Sequence, residues 1–224
     1  ISFENALAAS EPLAAYARLR AKQAPTAAAP AAEAAAKPAG PTSDVDSPTY
    51  VSEEKSDNVA VVVGIEKYSG VPDAVFAERD AEAMRKHLLA LGYPERNIFT
   101  LIGPDASRAG LAKNLETKLP RLVNERSTVL FYYSGHGAPD PVPGEAYLVP
   151  VDGDPEFLKD TAYSLAELQR RLGGLKAKKV VVVVDSCFSG IGGRSVLPKG
   201  TRPLVTKMKP GLTGSERLLV MSAS

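Results

Sequence analysis

Residues 127–137 read STVLFYYSGHG, and residues 178–190 read KKVVVVVDSCFSG. Each is a run of apolar, largely β-branched or aromatic residues that stops in small and reactive ones. The first ends at His136 and the second at Cys187. Side chains of these types suit a pleated, buried strand. Strands apolar on both faces belong to parallel sheets covered by helices on each side. The chain has only two histidines and one cysteine, and one of each stands just past a core strand.

Working outward, the same alternation recurs. NVAVVVGI (58–65) is a continuous apolar run of strand length. It is followed by AERDAEAMRKHLLALG (77–92), with Ala81, Met84, Leu88 and Leu91 on one helical face and Gly92 as a stop. NIFTLIG (97–103) reads as a second strand, and 107–122 as a second helix. SLAELQRRLGG (164–174) opens with Ser164 and Glu167 in capping-box spacing and ends in paired glycines. RLLVMSA (217–223) reads as a further strand. Together these predict an α/β fold, a mostly parallel sheet with helices on both faces. In such sheets reactive groups gather beyond the carboxyl ends of the strands.

The remainder bounds the reading. Residues 1–24 carry Phe3, Leu7, Leu13, Tyr16 and Leu19 at helical spacing, interrupted near Pro12. Residues 25–56 are rich in alanine but broken by five prolines, which predicts a semi-extended linker. The domain proper is 57–224. A net charge of +1 suggests no nucleic-acid partner, one cysteine excludes an internal disulfide, and no apolar run has the length of a membrane span. The chain begins at Ile1, so the compartment stays open; a signal removed upstream would make it extracytoplasmic.

A thiol is mostly protonated at neutral pH and attacks as the thiolate. A neighbouring imidazole lowers its pKa and holds the proton for a leaving amine. His136 and Cys187 are thus the expected base and nucleophile, with the N–H groups of Gly137 and Cys187 directed at a developing oxyanion. Gly135, Ser189 and Gly190 keep the surroundings small. No metal is required. His87, in the middle of MRKHLL, reads as a surface or helix-end residue. CFSGIGGR resembles the phosphate loop of cysteine-dependent phosphatases, but six residues separate Cys187 from Arg194 where that loop has five. That reading also leaves YSGHG unexplained.

YYSGHG and VVDSCFSG, 51 residues apart from His136 to Cys187, resemble the paired motifs of caspase-like cysteine peptidases. The similarity is greater to the metacaspase and bacterial caspase-homologue branch. VVVGIEKY and the helix that follows are similar to that family's first strand and helix. The resemblance implies a caspase-like three-layer sandwich and a bacterial-type cysteine endopeptidase with a Cys187–His136 dyad. It further implies that Asp80, Ser134 and Asp185 line the primary specificity pocket. Two carboxylates there select a cation, so substrates are proteins or peptides with arginine or lysine before the scissile bond. The segment after the histidine strand keeps Asp152, Asp154 and Asp160 but lacks the paired aspartates of calcium-dependent members, and Arg194 stands where an acid would help. A cation wanting six to eight oxygens is poorly served, so calcium is not expected to be required.

The sequence ends just past the last strand, where family members continue, so the domain is expected to be incomplete at its C-terminus. A non-catalytic caspase-like assembly or signalling module is the alternative function. Between Ser186 and Ser215 there is no acidic residue, while prolines and glycines argue against regular structure. Arg194, Lys199 and Lys207 there are expected sites of self-cleavage, which would make the chain's own C-terminal fragment a partner.

Overall fold

The computed structural model describes residues 46–139, 146–186 and 217–223. These belong to a unit spanning Ser43–Ser224. The expected N-terminal helix, and the linker as far as residue 45, lie outside the described residues.

The valine-rich runs become strands because they can be buried on both sides. β1 (Val59–Gly64) is followed by helix α1 (Ala77–Ala90) and β2 (Ile98–Ile102). A helical run then passes from α2 (Arg108–Ala112) through a π-helical segment (Lys113–Lys118) to α3 (Leu119–Leu122). The wide turn comes just before Pro120, whose missing N–H cannot serve the carbonyl four residues back. β3 (Thr128–Ser134) is followed by β4 (Gly137–Pro139) and β5 (Ala146–Leu148). Then come α4 (Leu158–Thr161), β6 (Tyr163–Ser164), α5 (Leu165–Gly173), β7 (Lys179–Asp185) and β8 (Leu218–Ala223).

The five longer strands form one sheet in the order β2-β1-β3-β7-β8, with every pair parallel. Val59, Val61, Val62 and Val63 are fully buried, each contributing about 1.5–3 kcal/mol relative to exposure. Alternate residues serve opposite faces. Val59, Val61, Val63, Phe131, Val182 and Val184 pack with leucines of the α2–α3 run and of α5. Ala60, Val62 and Tyr132 pack with Ala81 and Leu88 of α1. The β7–β8 half of that second face is less covered, with Leu219 and Met221 exposed. The fold is the expected α/β sandwich.

Two features were not foreseen. β4, β5 and β6 make a separate three-stranded antiparallel sheet beyond the end of β3; strands of two or three residues are too short to carry a period. Residues 46–56, read as the end of the linker, are fastened along α1. Asp46 pairs with Arg79, Tyr50 Oη meets His87 Nδ1 at 2.8 Å, and the Ser52 and Lys55 N–H groups donate to the Ala90 and Gly92 carbonyls, each at 2.7 Å. The Ser164 hydroxyl caps α5 as its spacing predicts, accepting from the Glu167 N–H at 3.4 Å.

Candidate active site

Three elements converge where the central strands end. Gly64, Ser134 and Asp185 are the last residues of β1, β3 and β7, and the register aligns them side by side. α1 crosses over Gly64 at very short range. A Cβ there would lie 2.6 Å from Ala81 Cβ and 2.7 Å from the Ala77 carbonyl, so only glycine lets the helix approach so closely. This approach brings Asp80, in the first turn of α1, over the strand ends. The Ser134 hydroxyl consequently lies 3.5 Å from a carboxylate oxygen of Asp80 and 3.5 Å from one of Asp185. The three residues assigned to the pocket from family resemblance are therefore brought together from three separate elements. A hydroxyl has one proton for two carboxylates, so it donates to one of them at a time.

His136 follows two residues after Ser134 and is enclosed, with 1% of its surface exposed. The ring is gripped on several sides. Its Nε2 lies 2.6 Å from the Pro72 carbonyl oxygen, which can only accept, so Nε2 carries a proton. Nδ1 is buried and has no hydrogen-bond partner among the described residues. Whenever the ring is neutral, this contact selects the tautomer with its lone pair on Nδ1. The backbone is held as well. The His136 N–H donates to Tyr68 Oη at 2.9 Å, and Tyr133 Oη is 2.7 Å from the His136 carbonyl and 2.9 Å from that of Val149. The Tyr68 ring lies against the imidazole, centroids 4.7 Å apart. Gly135 fits between the two tyrosines only because it has no Cβ, which would lie 2.6 Å from Tyr68 Oη and 2.9 Å from Tyr133 Oη.

Gly137 starts β4 opposite Leu148, and the Val149 N–H donates to the His136 carbonyl at 3.0 Å. That makes 137 and 148 a non-hydrogen-bonded pair, so the ladder with β5 does not consume the Gly137 N–H. Cys187 lies outside the described residues, as do Arg194, Lys199 and Lys207. β3 and β7 are direct neighbours, the condition under which residues just beyond their ends can meet. His87 closes the last turn of α1, away from this site, as expected.

Tyr68 and Pro72 were missed in the sequence. Both come from the loop between β1 and α1, which is closed on itself by a Lys67–Asp73 ion pair and by the Ala74 N–H donating to the Glu66 carbonyl at 2.9 Å. Pro72 acts through its carbonyl, which leaves no side-chain signature. Tyr68 stands just past the first strand in VVVGIEKY, and only its position hinted at a role. Phe76, at the end of the loop, holds a left-handed backbone with φ of 71°. For a bulky residue this costs about 1–3 kcal/mol, and such strain gathers at functional sites.

Of the acids considered for calcium, two are engaged with backbone. Asp152 accepts from the Arg108 N–H at 2.7 Å, and Asp154 from the Glu156 N–H at 2.9 Å. Among the described residues no group of three potential ligands is assembled.

A parallel sheet sandwiched by helices, with a buried histidine past one central strand and an aspartate ending the next, is an α/β architecture of the caspase type. The caspase domain family matches residues 57–221, and the chain belongs to that family, whose members are cysteine peptidases. Among solved structures, protein GSU0716 of Geobacter sulfurreducens is similar with 22% identity and a TM-score of 0.47; the match covers 62% of this chain and 57% of that one. The Drosophila initiator caspase Dronc is similar with 14% identity and a TM-score of 0.43, over 65% of this chain and 62% of that one. The match thus spans less than two thirds of either structure's length. No curated protein matches the chain.

Proposed function

We propose that the chain is a cysteine endopeptidase in which Cys187 is the nucleophile and His136 the base, cleaving after arginine or lysine. The observation that carries this reading is the state of His136: Nε2–H is tied to the Pro72 carbonyl, leaving a buried lone pair on Nδ1. Nδ1 takes the Cys187 proton, and the thiolate attacks the scissile carbonyl. The tetrahedral oxyanion is met by the Gly137 and Cys187 N–H groups. The imidazolium then gives its proton to the departing amine, and an acyl-enzyme remains. Water, deprotonated by the same nitrogen, completes hydrolysis and restores the thiol. The imidazolium is stabilised throughout by the Pro72 carbonyl.

Support for a basic preference comes from the Asp80–Ser134–Asp185 group. A guanidinium or ammonium entering there gains charge-assisted hydrogen bonds to carboxylate oxygens, worth about 1.5–3 kcal/mol each. The acid-free stretch from Ser186 to Ser215 supplies basic residues of the same type, so the enzyme processes itself after Arg194, Lys199 or Lys207. Calcium is not required in this reading, because Asp152 and Asp154 already accept backbone hydrogen bonds.

The test compares wild type with Cys187→Ala and His136→Ala. Both variants are expected to lose at least about a thousandfold in cleavage of arginine peptides, and mass spectrometry should find a nick after one of the three basic residues in wild type only. Near-wild-type turnover in either variant would refute the dyad. An inert wild type would favour a non-catalytic module, and an intact chain in active enzyme would remove self-processing.

A further inference from the structure

We propose that Tyr68 is a positioning residue for His136, holding the imidazole in its reactive tautomer through the backbone rather than touching substrate. The proposal rests on reading His136 as the base. Three observations meet on this side chain. Its hydroxyl accepts the His136 N–H at 2.9 Å, its ring lies against the imidazole at 4.7 Å, and its oxygen occupies the space that a Cβ on Gly135 would need. Tyr68 therefore holds the histidine at two places, at the main chain and against the tilted ring. It also restrains the glycine immediately before it.

The loop that carries Tyr68 also carries Pro72, the acceptor of Nε2–H. The two contacts are consequently not independent. Tyr68 sets the height of the His136 main chain relative to the loop, and that height decides whether Nε2 reaches the Pro72 oxygen. Tyr133 cannot substitute, since its hydroxyl is directed at the carbonyls of His136 and Val149. Loss of the Tyr68 hydroxyl leaves the His136 N–H without its acceptor and relaxes the Gly135 step. The ring is then free to exchange its Nε2–H partner for another, and both tautomers become populated.

Tyr68→Phe separates this role from packing, because it keeps the ring and removes one oxygen. The chain has two histidines, so a His87→Gln background leaves only His136 to be seen by nitrogen-15 NMR of the imidazole. The parent should show Nε2 protonated and Nδ1 bare at neutral pH. Tyr68→Phe should show averaged nitrogen shifts and a faster-exchanging ring proton. Its kcat on an arginine peptide should fall about ten- to hundredfold with KM nearly unchanged, since the pocket carboxylates are not altered. Ring signals and kcat equal to the parent's, with or without a lower Tm, would overturn the proposal. If the parent itself cleaves nothing, the peptidase reading fails by that result alone. The ring signals then decide the role of Tyr68: averaged shifts support it and unchanged shifts overturn it.

Discussion

Asp185 shows how much one position can carry. It ends β7, is aligned with Ser134 across the strand pair, and stands two residues before Cys187. Asp185→Asn should lower kcat/KM for arginine peptides about ten- to hundredfold, while iodoacetamide labelling of Cys187 at fixed pH stays near the wild-type rate. Equal loss in both assays would make Asp185 structural. A preference for aspartate before the scissile bond would exclude the basic pocket altogether. The position of His136 past a core strand was legible in the sequence because it follows an apolar run, where a polar residue has no packing reason to be; Cys187 was read in the same way and lies outside the described residues. Asp80 and Ser134 were reachable only through resemblance. A carboxylate in a first helical turn is ordinary, favoured by the helix dipole wherever helices begin.

The elements were legible to the extent that they are long. β1, β3 and β7 announced themselves as apolar runs, and α1 and α5 by their spacing. The small sheet of β4, β5 and β6 did not, nor did the loop from 65 to 76, whose contacts include a backbone closure, the Lys67–Asp73 pair and bonds to His136. The junction of α1 with β1 offers a direct test of how elements place the site. In Gly64→Ala the added methyl meets Ala81 Cβ and the Ala77 carbonyl. Overpacking of this kind costs about 1–3 kcal/mol. It should lift the start of α1, so that arginine-peptide cleavage falls more than thiol labelling does. Adding Ala81→Gly removes one of the two obstructions and should restore part of both Tm and cleavage. A variant with lower Tm and unchanged cleavage would show that the helix can shift without moving Asp80.

At the scale of the whole molecule, two of the three acids considered for calcium, Asp152 and Asp154, accept backbone hydrogen bonds. Asp152 caps the start of α2 from a distant loop, and Asp154 caps the short turn before α4. Millimolar chelator is therefore expected to leave both peptide cleavage and Tm unchanged. A Tm that climbs with added calcium would overturn this, since binding to the folded state alone must stabilise it.

The strand of contacts from Asp46 to Lys55 bears on where this molecule can be cut. The family's boundary falls at residue 57, yet the preceding residues 46–56 cover the carbonyls of Ala90 and Gly92 and anchor Arg79, the neighbour of Asp80. A product begun at residue 57 sheds those partners from the very helix that delivers a pocket carboxylate. It should unfold at lower temperature than one begun at residue 46, and should lose discrimination for arginine before it loses thiol reactivity. The sequence family and the described fold thus have different borders, and an unchanged Tm and unchanged arginine preference in the shorter product would show that the extra residues serve neither.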